Sequence, residues 1–156
     1  QYDVPVKSLI AGDRLFMDEY EILVLNPFDK DYLSLNDTSL VLKLVHRDTS
    51  LLYCGDIEML AEIDILSSGA VLDSGIFKFP HHGASGSAHG KFFNAVSPEI
   101  AVISCGRNCF GHPSGEVFEL LERIPVYSTD RHGAVIIKEL NDGYKVTLCR
   151  IRTTDD

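Results

Sequence analysis

Pro80-His81-His82-Gly83 sets two imidazoles side by side, and Gly55-Asp56 sets a carboxylate just past an apolar run. Neutral imidazole is the commonest side chain for binding transition metals. A carboxylate, with several lone pairs on its two oxygens, can bridge two divalent cations. Adjacent histidines diverge, so one reaches a given cation while the other gives a supporting hydrogen bond. The flanking proline and glycine fix the loop and allow close backbone approach. Asp56, His81 and His82 are therefore candidate metal ligands. The alternatives are that Asp56 caps the helix after it and that the histidines are a solvated loop pair.

A second group lies in Gly106-Arg107-Asn108-Cys109-Phe110-Gly111-His112-Pro113. The Arg107 guanidinium suits a phosphate, with Asn108 beside it. His112 is the candidate catalytic residue, able to ligate, donate a proton or hold an oxyanion. It also stands two residues before Ser114, a helix-cap type, which leaves a structural role open. Ser85 and Ser87 can donate to a phosphate or serve as turn residues. Asn36 and Asp37 either approach the same site or form a simple turn. His46, His89 and His132 are given no role. There is no nucleophile elbow, glycine-rich phosphate loop or Cys-His nucleophile context. Aromatics do not alternate with basic residues as in a single-strand-binding platform.

The 156 residues are 45% hydrophobic and 24% charged, ordinary for a soluble globular chain that folds without disulfides or structural metal. No apolar run approaches the roughly 20 residues of a membrane helix, and no signal-type segment opens the chain. The net charge of −9 argues against broad counterion-release binding of nucleic acid. It leaves metal-assisted phosphodiester chemistry open, because bound cations invert local charge. Cys54, Cys105, Cys109 and Cys149 form no Cys-x-x-Cys pair. Cys54 and Cys149 lie in apolar strand-like runs and read as buried thiols. Cys105 and Cys109 could pair in an oxidising compartment, but free thiols are the favoured reading.

No repeat or linker divides residues 1–156, which read as a single unit. Strands are expected at 4–10, 14–17, 21–25, 39–46, 50–54, 76–79, 100–104, 126–128, 134–140 and 144–151, with a hairpin turn at 141–143. Helices are expected at 58–67, with apolar Met59, Leu60, Ile63 and Leu66 at helical spacing, at 89–96, and at 114–123, with Val117, Leu120 and Leu121 inward. Strands first, then strand–helix alternation, then a hairpin suit an α/β (α+β) mixed sheet with helices on one face. In such folds functional residues gather on loops at the carboxyl ends of strands.

Taken in order, Asn36-Asp37-Thr38-Ser39, Cys54-Gly55-Asp56, Phe79-Pro80-His81-His82-Gly83-Ala84-Ser85, Gly106-Arg107-Asn108, Gly111-His112-Pro113 and Thr129-Asp130-Arg131-His132-Gly133-Ala134 resemble one family. It is the metallo-β-lactamase-like domain of the ComEC competence proteins, which import DNA; the match runs from about Gly12 to Ile137. The resemblance implies an αβ/βα sandwich carrying a two-metal nuclease site for zinc or manganese. It gives Asp56 as bridging carboxylate, His82 as the last histidine ligand with His81 its neighbour, and Asn108 and His112 as a loop near the site. It further implies DNA as partner and a soluble domain, outside the cytoplasmic membrane, of a bacterial membrane protein. The superfamily's His-x-His-x-Asp-His signature is not in these residues. The chain is therefore expected to be the C-terminal half of the domain, inactive alone and self-associating through an exposed sheet. Two other readings stay open: a hydrolase of another ester, lactone or amide, and a non-catalytic scaffold or DNA-docking domain.

Overall fold

The computed structural model describes residues 5–141 and 143–149. An antiparallel meander opens it: β1 (Arg14–Met17), β2 (Tyr20–Asn26), β3 (Val41–His46) and β4 (Thr49–Cys54). Tight reversals serve here because antiparallel neighbours need only a short turn. Beyond β4 the ladder changes direction. β5 (Ile76–Lys78), β6 (Ile100–Ile103) and β7 (Val126–Ser128) each pair parallel to the strand before. Parallel neighbours require a crossover, supplied by α1 (Met59–Ser67), α2 (Gly90–Val96) and α3 (Gly115–Leu120). Strand order across the seven-stranded sheet follows sequence order.

Successive crossovers of one hand place the three helices on one face, and the core confirms it. Leu52, Phe77 and Ala101 lie side by side in register, with Val41, Cys54, Phe79 and Ile103 on the same face. Against them pack Ala61 and Ile65 of α1, Phe92 and Val96 of α2, and Val117 and Leu121 at α3. The Phe77 ring lies 5.4 Å from Phe79 and 6.5 Å from Phe92. Each such buried ring contributes roughly 1.5–3 kcal/mol by leaving water. After the short helix α4 (Thr129–His132), β8 (Ala134–Leu140) and β9 (Gly143–Cys149) form a separate hairpin. It lies on the sheet's other face, where Ile137 and Tyr144 approach Leu44, Leu51 and Ile76. The fold class is as expected: mixed α/β, with helices on one face of the sheet.

Several local expectations change. Residues 5–10 form no strand; their end is tied to loops, with Ile10 N donating to Asp13 Oδ2 and Ala11 N to Pro27 O. Val4 lies outside the described residues, as do Asp142 of the expected turn and residues 150–151 of the last strand. In α1 the inward face is Ala61, Glu62 and Ile65, whereas Met59, Leu60 and Ile63 are about half exposed. That helix is apolar almost all round, and the buried Glu62 is accepted because backbone N–H groups satisfy it. Cys149 is exposed, unlike Cys54, because β9 packs one face only. Short 3-10 turns at Asn36–Thr38 and His81–Gly83, and the helix α4, were not foreseen.

Candidate metal-binding site

The loops after β4, β5 and β6 meet at one end of the sheet. Gly55 follows β4 and is packed so closely that a Cβ would stand 2.7 Å from Ser39 Cβ. The loop after β5 is anchored to it, with His81 N donating to Gly55 O at 3.2 Å. His81, His82 and Gly83 all have left-handed backbone, with φ of +47°, +55° and +80°. For each histidine that costs about 1–2 kcal/mol, and strain of this kind gathers where a site over-determines its backbone. Ala84 N to His81 O at 2.8 Å and Ser114 N to Gly83 O at 2.9 Å hold the loop in place. The loop after β6 seats directly on it: a Cβ on Gly83 would lie 2.8 Å from Pro113 Cβ.

This backbone aims the two imidazoles at different carboxylates. His82 Nδ1 lies 2.6 Å from Ser104 O. A carbonyl only accepts, so Nδ1 carries the proton, and in the neutral ring the lone pair rests on Nε2. That is how a metal-ligating histidine is normally oriented by its support. Nε2 stands 3.6 Å from Asp56 Oδ2, two acceptors facing each other beyond hydrogen-bond distance. Tetrahedral zinc, with N and O donors at about 2.0–2.2 Å, separates two ligands by roughly 3.4 Å. The pair therefore fits a shared cation.

His81 points elsewhere. Its Nδ1 is 3.8 Å from Glu58 Oε1, which accepts Asn36 Nδ2–H at 2.9 Å. The His81 ring meets His112 edge-on with centroids 5.9 Å apart, and His112 in turn stacks on Phe110 at 5.9 Å. His112 Nδ1 is buried without a hydrogen-bond partner among the described residues. His112 thus borders the site, one ring away from the Asp56–His82 pair's neighbour. Among the described residues no group of three or more His, Cys, Asp or Glu side chains is placed to hold a cation.

The remaining candidates are scattered. Asp37 is buried, and its Oδ1 accepts N–H bonds from Glu58 and Ala61 at 2.8 and 3.2 Å, capping α1 from a distant loop. That frees Asp56 from the cap role, since Glu58 holds the N-cap position. Asn108 is spent on its own loop: its amide donates to Gly106 O and His112 O and accepts from Phe110 N and His112 N. Ser85 Oγ donates to Glu116 Oε2, Ser87 is buried, and Arg107 is exposed at the rim.

Three charged residues near the site escaped the sequence reading. Glu58 opens the expected helix at 58–67 and carries no other signal in the sequence. Lys78 interrupts an apolar strand, which was the available signal; its Nζ donates to Cys54 O at 3.0 Å, and burial lowers its pKa against the pull of Asp56. Glu62 accepts Ala88 and His89 N–H at 2.6 and 2.8 Å, fixing the far end of the histidine loop. Burial pushes its pKa up to about 7, although those N–H bonds favour the charged form.

No family model matches the chain. It is similar to ComE operon protein 3 of Bacillus subtilis, 32% identical over 135 residues, which is 85% of this chain and 17% of that protein. It is also similar to Competence protein ComA of Neisseria gonorrhoeae, 32% identical over 145 residues, 90% of this chain and 21% of that one. The chain thus spans about a fifth of the length of these relatives. Both similarities run through the histidine loop's stretch of the fold and support reading the chain as a segment of a competence protein.

Proposed function

We propose that this chain is the segment of a DNA-uptake protein that contributes Asp56 and His82 to a divalent-metal site of metallo-β-lactamase type, acting on the phosphodiester bonds of DNA. The observation that carries the reading is the His82 Nδ1–H bond to Ser104 O, which leaves Nε2 free and facing Asp56. When bound, zinc or manganese supplies an activated water and stabilises developing charge on the phosphate. This chain's residues hold, orient and neutralise. Ser104 O fixes the His82 ring, Gly55 O fixes the His81 backbone, and Asn108 shapes the loop that presents His112 as proton donor or oxyanion partner. Arg107, on the same rim, is the group that meets a phosphate. The segment would work outside the cytoplasmic membrane; no helix among the described residues is long and apolar enough to cross one.

Calorimetric titration with zinc or manganese tests the ligand pair. Asp56→Ala and His82→Ala should each weaken binding by at least about tenfold; affinities unchanged from the parent chain overturn the assignment. Two-metal sites need several ligands for each ion, and this chain brings together two. Hydrolysis of single-stranded DNA is therefore expected from a longer protein containing the segment, and robust turnover by the 156 residues alone would sink the partial-site reading. A scaffold role in the uptake machinery is the second reading, favoured by the lack of a three-donor group among the described residues. An intact His-x-His-x-Asp-His elsewhere in the same protein would decide for the enzyme.

A further inference from the structure

Phe110 is 77% exposed and sits on a hydrogen-bonded turn. Its N–H donates to Asn108 Oδ1 at 3.1 Å, and the same carboxamide makes three further bonds within the loop. One face of the ring lies nearly parallel to His112, at 21° and 5.9 Å between centroids. The Asn108 bonds fix the backbone of this turn, and the Phe110 ring stands open to solvent beside His112. Two ring-to-ring steps of 5.9 Å, Phe110 to His112 and His112 to His81, lead from that ring to the histidine loop.

From this we infer that Phe110 is a base-stacking residue, positioning a single-stranded nucleic acid so that its backbone passes the Asp56–His82 pair. The inference rests on the phosphodiester reading of that site and deepens it. Net charge makes the point sharper: at −9 the chain has little to gain from counterion release. Stacking on an aromatic face works for every base, independent of sequence. Arg107, exposed three residues before the ring, carries the charge that suits an adjoining phosphate. One preset ring backed by a second ring serves where aromatic–basic alternation is missing. Double-stranded DNA, whose bases are already stacked, has no face to offer it.

The chain has no tryptophan, so Phe110→Trp installs a lone indole at the proposed contact. In EDTA, without metal, a short oligothymidylate should quench its emission saturably, while an abasic strand of equal length should not. Fluorescence anisotropy of a labelled oligothymidylate should show Phe110→Leu binding weaker by roughly 5- to 150-fold, with Phe110→Tyr close to the parent chain. Equal quenching by the abasic strand, no quenching by either, or unchanged affinity in the leucine variant would each overturn the inference. Because no cation is present, the outcome is separate from that of the metal-ligand assignment, which calorimetry decides.

Discussion

Gly83 is the residue on which the histidine loop turns. It needs φ of +80° and has Pro113 against the place a side chain would occupy. Gly83→Ala adds backbone strain and overpacking together, an expected loss of about 2–4 kcal/mol measured by urea denaturation. A loss below about 0.5 kcal/mol would mean that the two loops part easily. The sequence showed this glycine, the two histidines and Asp56 as a chemical group, because they are adjacent or follow an apolar strand. It did not show that Asp37 belongs to the fold, since its partners Glu58 and Ala61 are more than twenty positions away. A buried cap supplied from another loop looks like any other turn aspartate until the helix it serves is placed.

The hairpin β8–β9 is held to the sheet by a clasp at His46. Its Nδ1 is 2.5 Å from Glu139 of β8, its Nε2 is 3.2 Å from Glu19 in the β1–β2 turn, and Tyr20 stacks on the ring at 4.2 Å. Hydrogen bonds to Glu139 and then Glu19 raise the His46 pKa above the usual 6.5, against burial and the nearby Arg47. The stabilisation is therefore full below about pH 6.5 and fades as pH rises through the raised value. Glu19, whose pKa is lowered by its bonds to His46 and Arg47, adds stability above about pH 4.5 that is lost on acidification. Between those limits the parent chain should exceed His46→Gln in thermal midpoint, with the gap narrowing toward alkaline pH. A gap that stays constant from about pH 5 to 9 would remove the clasp. Both strands were legible from their alternation, but the clasp was not: residues 93 apart in sequence carry no local pattern.

The sheet as a whole was readable because its strands alternate or run apolar and its turns carry glycine, aspartate or proline. Helix faces were less so, since α1 offers apolar residues on every side and the choice between them depends on where Glu62 finds its N–H partners. At the open edge, β1 exposes Phe16 at 70% and Met17 at 60%, along with the unpaired backbone groups of any edge strand. Self-association through this edge is expected. Light scattering at rising concentration should show dimers or larger species, reduced by Phe16→Asp; a monomer throughout would count against it. Strand order has a further consequence, for the way the molecule forms. Each of the seven strands is laid beside the one made just before it, so no strand waits for a distant partner and loop-closure costs stay small at every step. The three site loops are in place once β6 and residues through Pro113 have been added, and the contacts of the hairpin with the sheet, His46–Glu139 among them, span most of the chain. A nascent chain could thus assemble its chemistry first and fasten the hairpin over the sheet last.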